Sequence, residues 1–84
     1  MPKIKLTDFE QKKLVARVTI KRRMELKQIT VPSLSKRLNS SRSAIYNHIA
    51  NPDLLRLSDL WGLVSILGLS DQEILQIVRG KEDV

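Results

Sequence analysis

The stretch LNSSRSAIYNHI, residues 38–49, decides how the chain is read. A helix that runs up to Leu38 has to stop within one residue, because the serines after Asn39 cap helices better than they continue them. So abrupt a stop calls for a left-handed backbone residue, which glycine adopts freely and asparagine more readily than other side chains. Asn39 is expected to be that residue. Ser41 then supplies the N-cap of a new helix that carries Ile45 and Ile49, four apart, on its inner side. Two short helices joined by so tight a turn cannot lie parallel.

Upstream, Thr30 caps the helix that ends at Leu38. Pro32 is tolerated in its first turn, where a missing amide leaves no bond unmade, and Leu34 and Leu38 form its buried side. Further back, TDFE (7–10) has the form of a capping box and opens a long helix to about Leu26. Ala16, Ile20 and Met24 recur there every fourth residue with Leu14 and Val18 beside them. Lys12, Lys13, Arg17, Lys21, Arg22 and Arg23 take most other positions.

Downstream, Asn51 and Pro52 break the third helix, and Leu54, Leu55 and Leu57 are expected to tuck the connection onto the core. A fourth helix starts near Leu57 or Ser58 with Leu57, Leu60, Val64 and Leu67 on one stripe. Leu63 and Trp61 flank that stripe, and Gly68 is its left-handed stop. SDQE (70–73) is a second capping box, opening a fifth helix with Ile74, Ile77 and Val78 before Gly80. No strand alternation or repeat competes. The 84 residues are therefore read as one all-α domain, 1–84, with its central motif at about 30–50 and two further helices at about 57–79.

The charge is unevenly placed. Residues 1–56 hold thirteen Lys and Arg against four acids, net +9, while residues 57–84 hold two against five, net −3, which together give the overall +6. A cationic front and an acidic back imply a polyanionic partner for the front. The chain has no cysteine and one histidine, so disulfides, thiolate-ligated zinc and a metal triad of the usual ligands are excluded. No Ser, His and acid fall in a spacing that suits nucleophilic catalysis, and the three glycines make no phosphate loop. An enzyme, a metal and a cofactor are not expected. The longest mostly apolar run, residues 60–69, is far shorter than the ~20 residues that cross a bilayer, and MPKIKLTDFEQ lacks a signal-peptide core, so a cytoplasmic protein is expected.

ITVPSLSKRLNSSRSAIYNHIAN (29–51) resembles the bipartite motif of the Cro/C1-type, lambda-repressor-like (XRE-like) helix-turn-helix domains, and LSDLWGLVSILGLSDQEIL (57–75) resembles their fourth and fifth helices. Asn39 replaces the turn glycine of that pattern, Ser40 stands where an apolar residue is usual, Ser35 fills the small position, and His48 takes a usually apolar one. The resemblance implies a five-helix lambda-repressor-like fold and a sequence-specific regulator of transcription. It further implies a small Cro-like repressor of phage or mobile-element origin that binds a palindromic double-stranded DNA operator as a homodimer, with no small-molecule ligand.

A helix that enters the major groove presents its first turn and one face of the next. Arg42, Ser43, Tyr46 and Asn47 lie opposite Ile45 and Ile49, and the resemblance places base contacts among the same positions. Arg42 can pair with guanine O6 and N7, Asn47 bidentately with adenine, Ser43 with either sense of edge, and Tyr46 with a phosphate or a thymine methyl. Thr30, Ser33 and Ser41, at helix starts, and Lys36, Arg37 and Arg56 are the expected phosphate contacts, with Lys21, Arg22 and Arg23 as a further cationic cluster. His48 is read as a packing or phosphate-facing residue. Trp61, Leu69, Ile74, Leu75, Ile77 and Val78 are the expected dimer surface. The competing reading is a protein-interaction module on the same fold, an antirepressor or an inhibitor of a nucleic-acid-binding partner.

Overall fold

A computed structural model describes residues 7–81, so the basic start MPKIKL and the acids Glu82 and Asp83 lie outside it. The described chain is all-helical and contains no strand. Five α-helices follow one another: α1 (Asp8–Lys27), α2 (Val31–Leu38), α3 (Arg42–Ala50), α4 (Leu57–Leu67) and α5 (Asp71–Arg79). A short 3-10 turn, Pro52–Leu54, separates α3 from α4.

The helix starts follow from their side chains. Thr7 Oγ1 accepts from the Glu10 N–H at 3.1 Å and the Glu10 carboxylate accepts from the Thr7 N–H at 3.3 Å, so both halves of the first capping box form. Ser70 and Glu73 repeat the arrangement at α5. The start of α4 uses only the reverse half: the Arg56 N–H donates to Asp59 Oδ2 at 3.2 Å, and an arginine side chain has no acceptor to complete a box. Each cap contributes about 1 kcal/mol.

The ends share a device. Gln28, Asn39, Gly68 and Gly80 all adopt the left-handed conformation. After the first three, the next amide reaches back five residues: Ile29 N–H to the Met24 carbonyl, Ser40 N–H to Ser35, and Leu69 N–H to Val64. At Asn39, φ is 54° and ψ 45°. The hydroxyl of Ser35 also donates to the Ser40 carbonyl, closing the α2–α3 turn from both directions. A polar clamp thus does at Ser40 what an apolar anchor would otherwise do.

One core holds the helices. Ile20, Leu34, Ile45, Ile49, Leu63, Leu67 and Leu69 form a contiguous buried cluster, with Met24, Leu38, Leu55, Ile74 and Ile77 packed against it. On α1 the buried strip is Val15, Ala16, Thr19 and Ile20, broader than the four-residue repeat alone indicates. Thr19 is accommodated because its hydroxyl donates to the Val15 carbonyl at 2.8 Å. Gly62 has a packing role: a Cβ there would stand 2.5 Å from Leu38 Cδ2, so its absence lets the end of α2 seat on α4.

The expected connection differs in detail. Leu54 and Leu57 are exposed, and of the three leucines only Leu55 reaches the core. Pro52 is buried in their place, and the 3-10 turn that follows directs Leu54 outward. On α4 the buried residues are Leu63 and Leu67; Val64 and Leu67 of the expected stripe reach the core, whereas Leu57 at its head is exposed. Trp61, two residues before Leu63, lies about 200° round the helix and is 64% exposed.

A single strong ion pair ties α1 to α5. Arg23 Nε meets both Glu73 oxygens at 2.8 and 2.9 Å, and Arg23 Nη2 meets Oε1 at 2.6 Å. The arginine hydrogen bonds hold the Glu73 carboxyl down to about 2, helped by the Ser70 N–H and opposed by partial burial. A carboxyl lowered in the folded state stabilises above its unfolded value near 4.5, and that stabilisation disappears as pH falls from there towards 2. Glu73→Gln is accordingly expected to lower stability by about 1–2 kcal/mol at pH 7, with the gap to the parent narrowing as pH falls from 4.5 towards 2 in urea titrations. A gap independent of pH would show that the carboxylate charge contributes nothing. At the turn, Asn39→Gly is expected to leave the thermal midpoint nearly unchanged, whereas Asn39→Ala costs about 1 kcal/mol. Equal midpoints for the two variants would contradict the requirement for a left-handed residue there.

Candidate nucleic-acid interface

α3 is seated by Ile45 and Ile49, which are 3% and 8% exposed, and this orientation turns Arg42, Ser43, Tyr46 and Asn47 to solvent. The four expected reading residues therefore share one accessible side. His48 is half-buried at the inner edge. It lines a void of about 10 Å³ with Ser40, Asp59 and core leucines, room for one water at most. Its place is in the packing.

Thr30 and Ser41 are exposed at the starts of α2 and α3. Thr30 Oγ1 accepts from the Ser33 N–H at 3.4 Å and Ser41 Oγ from the Ala44 N–H at 3.1 Å. A capping hydroxyl uses its oxygen for the helix and retains its proton as a donor, so both residues can cap and also donate to an anion. Ser33 is half-buried, one turn inside α2. Lys36 and Arg37 are exposed in the last turn of α2, and Arg56 is exposed at the N-cap of α4. Among the described residues, none of these three cations, nor Arg42, forms an ion pair.

The basic cluster on α1 divides. Arg23 is engaged by Glu73 and Lys13 lies 3.7 Å from Asp53, so both cations serve the fold. Arg17 and Lys21 instead line an open groove between α1 and α3, together with Met24, Val31, Tyr46, Ile49 and Ala50. No acid lines this groove. Lys21 also borders a second depression with Gln28 and Thr30, which leads to the start of α2. Arg17 was legible as a surface cation, but its position beside Tyr46 depends on how α1 crosses α3.

The expected dimer surface is only partly available. Leu69 is 7% exposed and belongs to the core, because the left-handed Gly68 folds it back under α4. Ile74 and Ile77 pack against the same core and are half-buried. Trp61, Leu75 and Val78 remain at the surface, as do Leu54 and Leu57. Leu57 and Trp61 are four apart on α4, and Leu75 and Val78 three apart on α5, so each pair shares a helix face.

No described helix is long and apolar enough to cross a membrane. Compared with protein-family models, characterised proteins and solved structures, the chain matches none.

Proposed function

We propose that this chain is a sequence-specific double-stranded DNA-binding regulator of transcription, a small Cro-like repressor on a lambda-repressor-like helix-turn-helix fold. The observation that carries the reading is the α2–Asn39–α3 unit. A left-handed turn and a serine cap present Arg42, Ser43, Tyr46 and Asn47 together, and Lys36, Arg37 and Arg56 on the neighbouring elements are exposed and without ion pairs. A helix of 9 residues with one side exposed fits the width of the major groove, and the end groups on that side match base edges.

In this reading the roles separate by chemistry. Arg42 and Asn47 select bases, Ser43 and Tyr46 support them, and Lys36, Arg37, Arg56, Thr30 and Ser41 hold phosphates and fix the register. The acidic residues of α5, Asp71 and Glu73, stay away from the duplex because like charges would repel. One module of this size contacts few bases, so two copies on half-sites about one helical turn apart supply the selectivity. The exposed pairs Leu57/Trp61 and Leu75/Val78 are apolar surface available for that pairing. The same apolar residues are what favours the second reading, a protein-interaction module. A nuclease-treated pull-down separates the two, since capture of one protein that survives nuclease supports the second.

Binding to the preferred duplex is expected to weaken linearly in log affinity against log salt, with a slope set by the phosphates neutralised. Arg42→Ala is expected to cost about 1–3 kcal/mol and to relax selection at one base pair. Lys36→Ala is expected to weaken all sequences alike and reduce the salt slope by about 1. Equal losses on every sequence for Arg42→Ala would remove Arg42 from the reading set.

A further inference from the structure

Asn51 stands in the sequence as a helix breaker before Pro52. The structure gives its side chain a second engagement. Its backbone N–H donates to the Asn47 carbonyl at 2.8 Å. Its Nδ2 donates to that carbonyl at 3.3 Å and to Asn47 Oδ1 at 3.2 Å.

The orientation of both amides follows from this geometry. A main-chain carbonyl can only accept, so the Asn51 atom facing it is the amino nitrogen. An amino nitrogen that also meets the Asn47 side chain must face its oxygen, which leaves Asn47 Nδ2 on the other limb. Asn51 is itself held in place. It has φ −130° and ψ 74°, outside the helical region that a following proline disfavours, and Pro52 is buried.

We propose that Asn51 is a positioning residue that sets the base specificity of Asn47. It draws the Asn47 oxygen back towards the helix end, so that Asn47 meets the duplex with its amino group and selects guanine over adenine. The inference rests on the proposed entry of α3 into the major groove. Bidentate pairing with adenine needs the amide oxygen to accept from N6 while the amino group donates to N7, in one plane. The oxygen keeps a second lone pair, but with its direction set towards Asn51 at the helix end, presenting oxygen and amino group together to one base edge requires the amide to turn away from that bond. Guanine asks only for donors, since N7 and O6 both accept. The terminal amide torsion is otherwise broad, and a solvent-exposed hydrogen bond biases it by roughly three- to tenfold.

The test is selection from a random duplex library with the parent chain and with Asn47→Ala, Asn51→Ala and Asn51→Asp. Asn47→Ala identifies the base pair that Asn47 reads, as the position where preference disappears. At that position the parent is expected to prefer guanine over adenine by about threefold or more. Asn51→Ala frees the amide and is expected to move the preference to adenine. Asn51→Asp replaces the donor by an acceptor of the same shape and turns the Asn47 oxygen outward, so an edge that donates, adenine N6 or cytosine N4, is expected. The added charge weakens all sequences together and leaves this comparison intact. Adenine selected by the parent, an unchanged preference in both Asn51 variants, or no position responding to Asn47→Ala overturns the proposal while the rest of the consensus survives. A parent with no preferred site removes the DNA-binding reading as well.

Discussion

The backbone reversal at Asn39 is the constraint on which the rest depends. Its left-handed conformation ends α2 after 8 residues, and the Ser35–Ser40 bonds in both directions fix where the chain leaves it. The turn alone amounts to about 1 kcal/mol, small beside the roughly 2–5 kcal/mol lost on truncating a buried leucine such as Leu34. Its importance is directional. With Leu34 at 0% exposure on one side and Ile45 at 3% on the other, both helices are locked into the core at an angle the turn dictates. The solvent side of α3 is a consequence of that angle.

Stability and surface charge are arranged around the same geometry. Glu73 caps α5 and holds Arg23 of α1, so one carboxylate joins a helix start to a distant helix. That bond removes Arg23 from the pool of available cations, and Asp53 does the same for Lys13. The cations that remain without ion pairs on α2, α3 and the start of α4 are Lys36, Arg37, Arg42 and Arg56, all of them exposed. Among the described residues, internal pairing removes Lys12, Lys13 and Arg23 from the basic front inferred from charge totals, and Arg17, Lys21, Arg22 and Lys27 of α1 stay in it.

Much of this was legible in the sequence, because helix ends are written in local chemistry. Thr7, Thr30, Ser41 and Ser70 cap as expected, and Asn39, Gly68 and Gly80 stop their helices in the left-handed region. What was not legible depends on helix phase and on contacts between distant residues. Leu57 and Trp61 belong to an apolar helix whose inner side cannot be chosen without knowing where α2 lies, and the seat of Leu38 beside Gly62 settles it. Leu69 reads as spare apolar surface until Gly68 turns it inward. Arg23–Glu73 joins residues 50 apart and leaves no local signal. In the candidate interface the four exposed residues of α3 followed from the 3.6-residue period, but the hold of Asn51 on Asn47 needs the bent chain before Pro52.

The central claim, that the exposed side of α3 is the surface that meets DNA, is tested most directly by amide shift mapping while a selected duplex is added to the isotope-labelled protein. Shifts concentrated at residues 30–33 and 41–47, with Asp71–Arg79 of α5 scarcely moved at low protein concentration, are the expected result. Shifts centred on α4 and α5, or none at a duplex concentration that saturates retardation in a gel, would contradict it.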